Sequence, residues 1–132
     1  MKKLLFGATM AVIISMGFSS CKKTEAALTM LGTWQVDSYK ENGTDQTTVF
    51  LTAYENYQIM FDASNNYIET YTLLGVHVTN AGPWKLTNGG EDFELTNQGD
   101  GTKRYFHIIE LNPESASISE DSGAKEYHML KD

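Results

Sequence analysis

From Gly32 to Leu130 the chain alternates apolar and polar residues with a period of two, the period of a strand with one buried and one wet face. Runs rich in Val, Ile, Tyr, Phe, Trp and Thr are separated by Asn, Asp and Gly clusters that favour turns. The predicted strands are Gly32–Lys40, Tyr57–Asp62, Tyr67–Leu74, Trp84–Thr87, Asp92–Thr96, Thr102–Leu111, Ser115–Glu120 and Lys125–Leu130. Asn42-Gly43 has the chemistry of a tight hairpin turn, because both residues accept positive φ. Short connections favour antiparallel neighbours, so the fold class is all-β, an up-and-down meander of about eight strands. Closing the meander into a barrel removes its exposed edges.

Inward positions follow from the alternation: Trp34, Val36, Ile59, Phe61, Tyr67, Tyr71, Trp84, Leu86, Phe93, Leu95 and Tyr127. The strand 102–111 does not resolve so simply. Tyr105, His107, Ile109 and Leu111 share one face, yet Phe106 and Ile108 are apolar too, which predicts a bulge or a covered outer face. Residues 47–56, with Val49-Phe50-Leu51 and Ala53-Tyr54, read as a short helix or lid across the barrel mouth; a further strand is the alternative.

The first twenty residues follow a different pattern. Lys2-Lys3 precede an apolar run from Leu4 to Phe18, and Ser19-Ser20 lead to Cys21, the one cysteine of the chain. That run is too short for a spanning helix and has the layout of an export signal. Phe18-Ser19-Ser20-Cys21 resembles a bacterial lipobox, with Phe in the position usually held by Leu. The resemblance implies that 1–20 is a lipoprotein signal peptide, that Cys21 is lipidated, and that 21–30 is a polar tether to a domain spanning 31–132. By the sorting rule of such lipoproteins, Lys22 after the cysteine implies the outer membrane, with the membrane-facing side left open.

Removing residues 1–20 leaves 112 of 132 residues and takes away two lysines and no acid, so the net charge moves from −7 to −9. That size suits one domain. An acidic surface repels phosphates and excludes nucleic acid as a partner. With Cys21 lipidated no disulfide is available, and the domain holds together by packing alone.

Leu31-Gly32-Thr33-Trp34 opens the first strand, Phe61 precedes an Asn-rich turn and Tyr67, Gly82-Pro83-Trp84 repeats the Gly-x-Trp spacing, and the long late strand runs to Ile109-Glu110-Leu111. This order resembles the calycin barrels, and in particular the small lipocalin-like lipoproteins of the Bacteroidetes. The resemblance implies that Gly32 and Trp34 close one barrel end. It also implies that Arg104, the sole arginine, lies over Trp34 as a cation–π partner. The alternative for Arg104 is a solvent-facing side chain.

Little catalytic chemistry stands out. His77, His107 and His128 lack metal-ligand spacing, so no metal and no cofactor are expected. Asp92 and Glu94 share one strand face opposite Phe93 and Leu95, the usual wet side of a half-buried strand. No serine has nucleophile-elbow context, and no glycine run has phosphate-loop form. The chain is therefore expected to be a non-catalytic, membrane-anchored protein that takes a small apolar or amphipathic ligand. Trp34, Phe61, Tyr67, Tyr71, Trp84, Phe93 and Tyr127 are the candidate ligand-binding residues. The alternative is an interaction module of the cell envelope with a solid core, in which Tyr39, Tyr54 and Tyr71 form an exposed contact patch.

Overall fold

The alternating runs pair in chain order and the last strand returns to the first. A computed structural model describes residues 22–132. The leader and Cys21 lie outside the described residues. A helix α1 covers residues 22–30. It is followed by β1 (Gly32–Glu41), β2 (Thr44–Asp45), helix α2 (Thr47–Ala53), β3 (Glu55–Phe61), β4 (Asn66–Leu73), β5 (Val76–Thr87), a 3-10 turn (Asn88–Gly90), β6 (Asp92–Thr96), β7 (Lys103–Leu111), β8 (Ser115–Glu120) and β9 (Lys125–Lys131). All pairings are antiparallel between neighbours in the sheet, and β9 pairs with β1 through Trp34↔Lys131 to Glu41↔Lys125. The result is a closed eight-stranded barrel with the two-residue β2 as an extra strand on β1.

Each predicted strand is present. Asn42 (φ 51) and Gly43 (φ 79) form the expected turn between β1 and β2. The largest difference is β5, which begins at Val76 rather than Trp84. Asn80-Ala81-Gly82-Pro83 carries breaker chemistry and hides the strand. It is tolerated there because β4 pairs with that half while β6 pairs only with Trp84–Thr87. The β6–β7 turn covers part of the open edge, with Gln98 N donating to Ala81 O at 2.9 Å.

The strand 102–111 contains the expected bulge. Register shifts between Ile108 and Glu110, so Phe106 is buried and both Ile108 and Leu111 pack on the core, while Tyr105 and Ile109 face solvent. Tyr105, His107, Ile109 and Leu111 thus do not share one inward face.

Residues 22–30, expected as a polar tether, are helical instead. Lys23, Ala26, Ala27 and Met30 recur at helical spacing. Gly90 lies against Lys23 and Ala26, Ala26 and Ala27 pack on the core, and Met30 is fully buried. Four positions were too few to show the period in sequence. The helix covers the barrel end where β1 starts and β9 stops.

That end is solid. Trp34 and Met30 are fully buried, and the Trp34 indole donates to Met30 O at 2.8 Å. The cation over Trp34 is Lys131, not Arg104. Its ammonium sits 4.9 Å from the ring centroid and donates to Thr29 O at 2.8 Å. Register decides this, because Lys131 is the Cα partner of Trp34, whereas Arg104 pairs with Leu95, farther along the barrel. Phe61 packs edge-on to Trp84 at 5.2 Å and to Phe93 at 5.8 Å, and Phe93 stacks on Phe106 at 4.7 Å. Above these rings remains a void of only about 10 Å³.

Gly82 fixes the open half of β5 against the β6–β7 turn. A Cβ there would stand 1.9 Å from the Thr96 carbonyl oxygen and 3.0 Å from Gln98 N, both backbone atoms. Gly82→Ala is expected to destabilise the fold by about 2 kcal/mol, read as a lower urea midpoint with an unchanged slope.

Candidate ligand site at the barrel mouth

The other end of the barrel is open. The β1–β2–α2 segment, the β4–β5 hairpin and the β6–β7 and β8–β9 turns surround the mouth. Below them lies a cavity of about 460 Å³, within the size range of small-ligand sites. Six aromatic rings wall it: Tyr39, Phe50, Tyr54, Tyr57, Tyr71 and Tyr127.

These rings come together because α2 lies beside the mouth. Asp45 accepts from the Thr47 amide at 2.9 Å and the Thr47 hydroxyl at 2.6 Å, which fixes the start of the helix and lowers the Asp45 pKa. The helix then lowers Phe50 onto the barrel, 4.9 Å from Tyr39, 4.9 Å from Tyr54, 5.6 Å from Tyr57 and 5.8 Å from Tyr127. Tyr71 closes the wall, edge-on to Tyr54 at 5.2 Å and stacked with Tyr57 at 6.0 Å. This is the short helix expected over 47–56, with β3 taking over from Glu55.

A charged floor separates the cavity from the packed end. Arg104 reaches inward from β7 and holds Glu120 side-on, Nε to Oε2 at 2.7 Å and Nη2 to Oε1 at 3.0 Å. Its Nη1 donates to Glu69 Oε2 at 3.0 Å. Tyr57 donates its hydroxyl to Glu69 Oε2, and Tyr127 donates to Glu120 Oε1 at 2.9 Å. Asn80 donates to Glu69 Oε1 at 3.0 Å and accepts from Asn97 at 3.1 Å. Glu69 and Glu120 are 3% and 7% exposed. Desolvation raises the pKa of both tyrosine hydroxyls, and the adjacent carboxylates raise it further. Burial acts to lower the Arg104 pKa, but the hydrogen bonds and the charges of Glu120 and Glu69 outweigh it, so the net shift is upward. Both carboxylates are held within this network. Behind Arg104 a side cavity of about 110 Å³ opens under the free half of β5, lined by Tyr67, Asn80, Asn97 and Asp100 among others.

A barrel closed at one end by a buried tryptophan and open at the other is matched in sequence as well. A family model for the lipocalin-like domain matches residues 30–115. The chain belongs to the lipocalin-like domain family. No curated protein matches it in sequence.

Within this lipocalin-like barrel the residues singled out from sequence fall into three groups. Tyr71 and Tyr127 line the mouth cavity. Phe61 and Phe93 border only the small void beneath the floor, and Tyr67 faces the side cavity. Trp34 and Trp84 are buried in the packing of the closed end. Sequence reasoning missed Phe50, Tyr57, Glu69 and Glu120. The signal was the period itself: Glu69 lies between the inward Tyr67 and Tyr71, and Glu120 is two residues beyond Ile118, so alternation puts both acids on inward faces, where Arg104 meets them. Arg104 itself is neither over Trp34 nor solvent-facing. Tyr39, Tyr54 and Tyr71 do not form an outer patch: Tyr39 is buried, and all three line the cavity.

Glu94, His107 and His128 do not line the mouth cavity. Glu94 pairs with Lys103 at 2.9 Å and Lys85 at 3.9 Å, which lowers its pKa. His107 pairs with Asp92 at 2.7 Å, and His128 with Asp37 at 3.3 Å. β8 separates the strands of His107 and His128. Among the described residues no group of three His, Cys, Asp or Glu gathers as a metal site requires.

Arg104→Met strands two buried carboxylates and is expected to cost about 3 kcal/mol of stability. Arg104→Lys recovers only part of it, because an ammonium cannot bind Glu120 side-on; denaturant midpoints measure both. The tyrosines set a pH limit. Their folded pKa values lie above the ordinary 10.0, so their contribution is complete below pH 10.0 and is lost as pH rises above it. Unfolding midpoints followed from neutral to strongly alkaline pH are expected to fall above pH 10.0. Tyr57→Phe should be less stable at neutral pH by about 1–2 kcal/mol and show a shallower alkaline decline.

Proposed function

We propose that this protein is a lipid-anchored binding protein of the cell envelope, without catalysis, that carries a small apolar or amphipathic ligand in the mouth cavity. The observation that carries this reading is the asymmetry of the barrel: one end packed solid, the other holding about 460 Å³ between aromatic rings. A core built only for stability has no use for such a space, because unfilled volume forfeits packing energy. The lipobox-like Phe18-Ser19-Ser20-Cys21 supports anchoring, and Lys22 supports the outer membrane, in keeping with the resemblance to Bacteroidetes lipoproteins. Residue 22 begins the described part of α1, which lies against the closed end. A lipid on Cys21 would hold that end toward the membrane and leave the mouth facing away from it, so that ligand exchanges with the surrounding compartment.

The full chain, expressed in a lipoprotein-processing bacterium and purified in mild detergent, should give an N-terminal peptide carrying a diacylglyceryl-modified Cys21. Cys21→Ser should release the protein from the membrane fraction. Native mass spectrometry should show a bound small molecule whose occupancy drops in Tyr71→Ala and is unchanged in Ile109→Ala on the outer wall. An unmodified Cys21 overturns the anchor. Equal occupancy in both variants overturns the cavity as the binding site.

A further inference from the structure

The floor of the cavity is charged in a way that restricts what can rest on it. A guanidinium has five N–H donors. Arg104 uses three of them on Glu69 and Glu120. Two remain, on a side chain that keeps 34% of its surface exposed and lines the cavity. The carboxylates are less accessible, with the Glu69 and Glu120 side chains only 4% and 8% exposed. Glu120 accepts from Arg104 twice and from Tyr127, and Glu69 accepts from Arg104, Tyr57 and Asn80. What the floor still offers is therefore mainly N–H donors, which call for an acceptor.

Its net charge points the other way. Two carboxylates face one guanidinium, leaving one negative charge over. At the rim Lys125 pairs with Asp121 at 3.3 Å, and Glu41 adds a further acidic side chain. A ligand carboxylate would compete with two carboxylates already seated on Arg104 and add a third negative charge in a desolvated site. A ligand ammonium would meet the exposed, always-charged guanidinium before the buried carboxylates, and it offers no acceptor to the free N–H donors. The two requirements leave one class: groups that accept hydrogen bonds and carry no charge.

We infer that the cavity selects neutral amphiphiles, whose carbonyl or hydroxyl oxygens take the two unused Arg104 donors while an apolar body lies between the tyrosine rings. This rests on the ligand-binding reading above and narrows it. Arg104 is then a neutralised donor rather than an anion receptor, with Glu69 and Glu120 as the residues that set the selectivity.

The test uses one skeleton in three charge states at neutral pH: phenylbutyric acid, phenylbutyramide and phenylbutylamine, titrated into the folded protein and followed by NMR shifts of the cavity residues. The amide should bind most tightly, with the acid and the amine each weaker by roughly tenfold or more. Glu120→Gln removes the surplus charge and should narrow or reverse the gap between acid and amide. Wild-type protein that binds the acid or the amine as tightly as the amide overturns the inference and leaves the cavity reading intact. Failure of all three to shift the cavity residues overturns both. The wild-type series alone decides the selectivity should Glu120→Gln fold poorly.

Discussion

The ion pair triad inside the barrel is the constraint around which the rest is arranged. Two carboxylates and a guanidinium are costly to bury, and the cost is offset only if every oxygen is paired. Arg104, Tyr57, Tyr127 and Asn80 meet that demand together, from β7, β3, β9 and β5. The network ties opposite walls of the barrel and divides the packed end from the mouth. Side chains fill the barrel from Trp34 up to this layer and stop there. The cavity lies above this polar floor, between the aromatic rings of the mouth.

The two ends solve different problems. At the closed end, α1, Lys131 and the buried indole of Trp34 seal the barrel with one cation–π contact and two hydrogen bonds to helix carbonyls. At the mouth, α2 contributes a single buried side chain, Phe50, and otherwise leaves Val49 and Leu51 exposed. The β4–β5 hairpin turns through Leu74, which has φ 51 and is 95% exposed. Leucine is a poor residue for that backbone conformation. The mouth is thus the less tightly determined end, as a site that admits a ligand requires.

Sequence reading succeeded where one local rule acted alone. Alternation over Gly32–Lys40 or Lys125–Leu130 has one meaning, and the Asn42-Gly43 turn has one geometry. It failed where two elements share the decision. Val76–Pro83 is a strand only because β4 supplies a partner on one side and the other edge is left open. Residues 22–30 are helical because the barrel end offers a surface for Ala26, Ala27 and Met30. Tyr57 and Phe50 belong to the candidate site only because α2 and β3 bring them to the same end. Trp34 and Phe93 looked like ligand platforms because aromatic residues carry the same signature in a core and in a pocket.

By itself the sequence determined the all-β class, the barrel meander and the parity of most strands, because these follow from the two-residue period and from turn chemistry, which are local; the place of Trp34 at the closed end came from the resemblance of Gly32-Thr33-Trp34 to the calycin barrels. The tertiary structure decided which basic residue covers Trp34, where packing ends, and what the interior can hold. Those depend on register: Trp34 opposite Lys131 on one side of the barrel, and Arg104 set across from Glu69 and Glu120 on the other. A one-residue shift in pairing would turn each of these side chains to the opposite face, and only the closed barrel fixes all the registers at once.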